Sequence, residues 1–240
     1  LYVIKRLPMS IPAREHAIVT PVHGRYLVRV PESPVSGPLR NAPMAVGFHG
    51  YGETAEDQLA RLEAVPELAG WTLVSIQGLH RFYGRGGAVV SSWMTSQHRE
   101  DAIEDNLRYV RSVVTEAIHQ AGEPQALVYV GYSQGVAMAW RAAILGARRI
   151  DGLAVFGGDV PPELGVRPLT QCPPVLIGRG KEDTHYSSAQ FRADLDMLAG
   201  RYVAVEPYEV GGGHAWSEAV GHEIGGFVAR LVNPSAAARL

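Results

Sequence analysis

Ala126-Leu127-Val128-Tyr129-Val130-Gly131-Tyr132-Ser133-Gln134-Gly135 is an apolar run that closes on a serine flanked by glycines. The run reads as a buried strand, and Val136 to Leu145 behind it reads as a helix. A G-x-S-x-G pentapeptide between strand and helix forces a sharp turn, in which side chains at positions 131 and 135 would collide with neighbouring backbone. The same alternation extends in both directions. Met44 to Phe48 is a short apolar strand followed by His49-Gly50-Tyr51-Gly52, and Thr54 caps a helix running to about Val65 with Asp57 at its third position. Thr72 to Gln77 is a further strand. A helix follows from about Glu100 to Ala121, with Ile103, Leu107, Val110, Val113, Val114 and Ile118 at helical spacing. Beyond the serine, Leu153 to Phe156, Val175 to Ile177 and Val203 to Glu206 read as strands, and Ala189 to Leu198 and Ala215 to Leu231 as helices. Short buried strands alternating with helices predict an α/β fold with a mostly parallel central sheet covered on both faces. Ala17 to Thr20 and Tyr26 to Val30 predict an antiparallel pair at its N-terminal edge, and 31–42, rich in Pro, Ser and Gly, a surface loop.

The totals narrow the function classes. The chain has 240 residues, 46% hydrophobic and 19% charged, which suits one globular domain over 1–240. A net charge of -2 with scattered arginines gives no footprint for nucleic acid. The single cysteine, Cys172, precludes an internal disulfide and fits a reducing, cytoplasmic setting; its place before an apolar run predicts a buried structural thiol. No stretch approaches the roughly 20 apolar residues of a membrane span, so no integral membrane segment is expected. Leu1 to Ile18 lacks the apolar region and cleavage site of a signal peptide. The chain starts without Met, so a trimmed leader stays open. Oligomeric state is not readable.

Ser133 is the candidate nucleophile, raised above the sheet edge at the positive end of the following helix. A serine needs a base, and of nine histidines only His185, His214 and His222 follow it. His214, in Gly211-Gly212-Gly213-His214, lies between the last strand and the last helix and is the candidate base; His222 falls inside a helix, and His185 beside the acid candidates. Asp183, after the penultimate strand, is the candidate acid, with Glu182 and Asp159 as alternatives. Acyl transfer also needs donors for a tetrahedral oxyanion. The backbone N–H of Gln134 is one, and that of Tyr51 the other, with Gly50 as the substitute; His49 is expected to shape this loop. The histidines show no short ligand spacing with Cys or a second His, so no metal site is expected.

Together these motifs resemble the phospholipase/carboxylesterase family of α/β-hydrolases, which includes acyl-protein thioesterases and small bacterial carboxylesterases. The resemblance covers about 43–230. His49-Gly50-Tyr51-Gly52-Glu53 is similar to the family's oxyanion motif, and Ser92-Trp93-Met94 to its serine-tryptophan signature. Gly131 to Gly135 is similar to its nucleophile motif, Gly180-Lys181-Glu182-Asp183 to its acid loop, and Gly212-Gly213-His214 to its histidine loop. The family follows its acid with a proline; here Thr184-His185-Tyr186-Ser187 stands instead, which alters the rim. The resemblance implies an α/β-hydrolase fold, no cofactor, and hydrolysis of carboxylic esters of small molecules through an acyl-enzyme on Ser133. An acyl thioesterase or lysophospholipase of the same family, or a non-catalytic α/β-hydrolase-like binding protein, are the rivals. Acyl preference is expected to reside in 78–99, through Phe82, Trp93 and Met94, and this glycine-containing stretch is expected to serve as a small lid.

Overall fold

The computed structural model describes residues 13–31 and 42–233. Among the described residues, nine strands and five α-helices are laid out in the order β1 (Arg25–Arg29), β2 (Met44–Phe48), α1 (Ala55–Glu63), β3 (Thr72–Gln77), β4 (His80–Tyr83), β5 (Val89–Ser92), α2 (Arg99–Ala121), β6 (Leu127–Tyr132), α3 (Gln134–Leu145), β7 (Gly152–Phe156), β8 (Val175–Gly180), α4 (Ser188–Ala199), β9 (Val205–Val210) and α5 (Glu218–Val232). A seven-stranded sheet runs β1-β3-β2-β6-β7-β8-β9, parallel except where β1 pairs antiparallel with β3. β4 and β5 form a separate antiparallel pair.

The period-2 alternation of the strands builds two cores. Met44, Val46 and Phe48 of β2 face the side covered by α2, α3 and α4, where Val110, Val114, Val136, Met138 and Phe191 are buried. Ala45 of β2, with Val128 and Val130 of β6, faces the side covered by α1 and α5, where Leu62, Ile224 and Phe227 are buried. The strands between these layers are fully buried, which is why they read as apolar runs. β9 is the exposed edge, and carries Glu206, Pro207 and Glu209 on its exposed positions.

Strand order places the functional loops. β3 lies on one side of β2 and β6 on the other, so the chain reverses its direction of travel between β2 and β6. At such a switch point the loops leaving adjacent strands diverge to opposite faces and open a crevice at their carboxyl ends. The loop after Phe48 and the turn after Tyr132 both lie there, in a register that pairs Phe48 with Gly131.

Several expectations need correction. Ala17 to Thr20 forms no strand; it is exposed, and the edge strand β1 pairs instead with β3, where Tyr26 and Val28 can pack against the core. Of the expected loop 31–42, positions 32–41 lie outside the described residues, as do 1–12 of the N-terminal stretch. Within 78–99, the hairpin β4–β5 was not legible: His80-Arg81-Phe82-Tyr83 lacks a clean apolar face, because the hairpin stands off the main sheet. In α2 the buried stripe is centred on Ala102, Asn106 and Val110, leaving Ile103 and Leu107 only half-buried. Cys172 is half-buried rather than buried, and its surroundings push its thiol up to about 12. No helix among the described residues is long and apolar enough to cross a membrane.

The ring of Phe227 sits over Gly152, and a Cβ at that glycine would lie only 3.1 Å from it. Truncating this fully buried ring leaves a void between α5 and β7 that the strand backbone cannot fill. Phe227→Ala is expected to lower unfolding stability by about 3–5 kcal/mol in urea titration.

Candidate active site

The site begins with a strained serine. Ser133 has φ 53 and ψ -122, between the last residue of β6 and the first of α3. A non-glycine residue with positive φ costs about 1–3 kcal/mol and persists only where its surroundings over-determine it. Here the Ser133 N–H donates to the Phe156 carbonyl at 3.0 Å, tying the turn to β7. On the other side the turn presses against β2: a Cβ at Gly135 would lie 2.1 Å from the Phe48 carbonyl oxygen. Only glycine lets α3 start this close to β2.

The structure brings Ser133, His214 and Asp183 into one hydrogen-bonded line. The Ser133 hydroxyl is 2.7 Å from His214 Nε2, and His214 Nδ1 is 2.8 Å from Asp183 Oδ2. Asp183 Oδ1 accepts the backbone N–H groups of His185 at 2.8 Å and Tyr186 at 3.0 Å. Burial pushes the Asp183 carboxyl up, but the Tyr186 N–H, His214 and the His185 N–H more than offset it, so its pKa falls below the ordinary value. An ionised carboxylate can only accept, so the His214 proton sits on Nδ1 and Nε2 is free to accept from the serine. Such a line is what converts a serine hydroxyl into a nucleophile. Glu182 and Asp159 are exposed, and among the described residues neither bonds to His214. His222 is exposed on α5.

Arg179 holds the acid loop in shape. It is 3% exposed, and its guanidinium donates to the carbonyls of Tyr186 (3.0 Å), Lys181 (3.1 Å) and Asp183 (3.3 Å) and to Glu209 Oε1 (2.5 Å). The histidine loop is docked onto this loop. Lys181 N–H donates to Val210 and Glu182 N–H to Gly212, and a Cβ at Gly180 would lie 2.2 Å from the Gly213 carbonyl. His214 therefore reaches Asp183 by continuing the β8–β9 pairing past the strand ends.

The third wall is the loop after β2. His49 is fully buried; its Nε2 accepts the Gly78 N–H at 3.0 Å, so its proton sits on Nδ1 and donates to the Gly50 carbonyl at 2.6 Å. Burial lowers its pKa, keeping it neutral, and it serves as a loop strut. Gly50 N–H, the substitute oxyanion donor, is already given to Glu53 Oε2 at 2.7 Å. Tyr51 N–H has no acceptor among the described residues. Gln134 occupies the first position of α3, where the helix supplies no acceptor for its N–H. The Gln134 side chain is turned away: Oε1 accepts the Trp93 N–H at 2.9 Å, and Nε2 donates to the Met94 carbonyl at 3.1 Å.

The expected ligand contacts divide. Phe82 is half-buried and lies 5.4 Å from the exposed Tyr51 ring. Met94 is half-buried, with Sδ beside Arg141. Trp93 is fully buried: its Nε1 donates to the His49 carbonyl at 2.9 Å and its ring packs on Phe48, so it supports the loop from beneath and offers a ligand no surface. Sequence reasoning missed Arg179 and Arg61, and named Glu53 only as the end of the oxyanion motif, with no role. Arg61 pairs with Glu53 and lies 4.4 Å over the Tyr132 ring, with Trp216 also in reach. Glu53 and Arg61 lie eight positions apart across a loop and a helix, and no local pattern marks the pair. Sequence reasoning also found no metal-ligand spacing, whereas folding brings ligand atoms of Asp183, His185 and His214 within 4.8 Å of one another.

A model of the phospholipase/carboxylesterase family matches residues 35–195. Among solved structures, the Bacillus cereus carboxylesterase is similar with a TM-score of 0.68 at 16% identity, over 87% of this chain and 94% of its own. Acyl-protein thioesterase 2 of Zea mays is similar with a TM-score of 0.64 at 18% identity, over 87% of this chain and 99% of its own. These likenesses carry the fold, that of the α/β-hydrolases. No curated protein matches the sequence.

Arg179→Met leaves buried carbonyls without donors, each costing about 1–3 kcal/mol. A loss of about 3 kcal/mol is expected in urea titration, with partial recovery in Arg179→Lys. The lowered Asp183 pKa also sets a pH signature. Its stabilisation is complete above the unfolded carboxyl value, about 4, and lost as pH falls through the folded value below it. The stability gap between wild type and Asp183→Asn is therefore expected to close on acidification below about pH 4, read by thermal melts.

Proposed function

The chain belongs to the phospholipase/carboxylesterase family and is a serine hydrolase, and from that premise we propose that it cleaves carboxylic esters of small molecules through an acyl-enzyme on Ser133. The observation that carries this reading is the unbroken line from the Ser133 hydroxyl through His214 to Asp183, at 2.7 and 2.8 Å.

His214 Nε2 takes the serine proton as the oxygen attacks the ester carbonyl, and Asp183 stabilises the imidazolium that forms. The carbonyl oxygen, now an oxyanion, receives the N–H groups of Gln134 and Tyr51, neither of which is given to another acceptor among the described residues. The imidazolium then protonates the departing alcohol. In the second half, His214 takes a proton from water, which attacks the acyl-enzyme; the imidazolium returns that proton to the Ser133 oxygen as the acid leaves. Phe82 and Tyr51 offer an aromatic surface on which the acyl group would rest, with Met94 beyond; the hairpin that carries Phe82 would serve as the small lid. Trp93 contributes by holding the loop below. In this reading 1–240 acts as one catalytic domain in the cytoplasm, which its single cysteine supports.

Ser133→Ala is expected to lower kcat on p-nitrophenyl acetate by about 10⁶ and to abolish fluorophosphonate labelling, with an unchanged circular dichroism spectrum. Asp183→Asn is expected to lower kcat by about 10⁴, because the wrong tautomer then faces the serine. Labelling at a residue other than Ser133, or full activity in Ser133→Ala, rejects the assignment. A panel of acyl-CoA and p-nitrophenyl esters of graded chain length separates thioester from ester preference.

A further inference from the structure

We propose that Asp183, His185 and His214 form a zinc-binding site whose occupancy switches the enzyme off. The proposal rests on the reading of His214 as the catalytic base.

Ligand atoms of the three residues already lie within 4.8 Å of one another. The set, two imidazole nitrogens and one carboxylate oxygen, suits a zinc ion and leaves a fourth position for water. Imidazole donors disfavour magnesium and calcium, which take oxygen. The His185 ring stacks on that of His214 with centroids 4.7 Å apart and planes 26° from parallel. His185 is exposed, so its side chain can turn its nitrogen toward the His214–Asp183 edge at little cost, and the ion can arrive from solvent. Ligands of a tetrahedral zinc stand about 3.4 Å apart. Asp183 Oδ2 and His214 Nδ1, now 2.8 Å apart, need to part only slightly to admit it.

The consequence for the reaction follows from proton bookkeeping on one ring. In the active arrangement Nδ1 carries the proton, shared with Asp183, and Nε2 accepts from Ser133. Zinc on Nδ1 needs the lone pair of that nitrogen, so the single proton of the neutral ring moves from Nδ1 to Nε2, with none released. A protonated Nε2 cannot take the serine's proton. Zinc and catalysis therefore require opposite tautomers of the same ring. The His185 imidazole makes no hydrogen bond in the relay, and its backbone N–H to Asp183 survives removal of the ring, so the metal site can be dismantled at that side chain.

Two measurements on chelator-stripped protein test this. In the first, hydrolysis of p-nitrophenyl acetate is followed against zinc chloride and magnesium chloride. Zinc is expected to inhibit reversibly, with EDTA restoring the rate and magnesium without effect. His185→Ala keeps its backbone N–H for Asp183, and relative to its own zinc-free rate it is expected to need a half-inhibiting zinc concentration roughly tenfold or more higher. Equal inhibition of both proteins overturns the site. In the second, zinc is titrated calorimetrically into Ser133→Ala and into Ser133→Ala/His185→Ala. Binding of one equivalent by the first, weakened in the second, supports the site even if no ester is turned over. Absence of binding, or equal binding, removes it whatever the enzyme's substrate.

Discussion

The whole site depends on one close approach, that of the turn after β6 to the backbone of β2. Ser133 is held at a positive φ because Gly135 lets α3 begin against the Phe48 carbonyl while the Ser133 N–H is fixed by Phe156. The strain is balanced by two neighbouring strands of the same sheet, buried on both faces. From this follow the outward-facing hydroxyl, the unpaired N–H of the first helical residue, and the nearness of the Tyr51 loop. Each is a consequence of packing three strand ends at the place where the sheet changes direction.

Two arginines join the loops around that point. Arg179 lies inside the acid loop and draws three of its carbonyls inward, so that the backbone of His185 and Tyr186 presents its N–H groups to Asp183. Arg61 pairs with Glu53, which holds the Gly50 N–H, and lies over Tyr132, whose hydroxyl donates to the His214 carbonyl at 3.1 Å. Through this chain of contacts the loop that supplies Tyr51 and the loop that supplies His214 share one support. Both guanidiniums make several directed hydrogen bonds at once, which a lysine ammonium on a flexible stem does not reproduce.

How much of this was legible depended on whether the signal was local. The strand–serine–helix unit was legible because turn chemistry and apolar period both lie within about 20 residues of sequence. The N-cap of α1 was legible from Thr54 and Asp57, which the structure joins in a reciprocal capping box. The hairpin β4–β5 was not, since it packs on neither core and carries no face to pattern. The pairing of β1 was misread for a different reason: a strand's partner is set by which edge is free, and the free edge belonged to β3, more than 40 residues away.

The sequence by itself determined the type and order of the parallel strands and the helices between them, and the nature of the groups delivered to the strand ends, because periodicity and chain order are properties of the chain alone. It placed Ser133, Asp183 and His214 in that order and identified the loops that carry them. Only the tertiary structure decided that Asp183 rather than Glu182 or Asp159 meets His214, that Trp93 is a buried strut, and that His185 stacks on His214. Those outcomes turn on ångström distances between segments far apart in the chain. The packing of Gly180 against the Gly213 carbonyl and the grip of Arg179 set them, and no local pattern of residues encodes either.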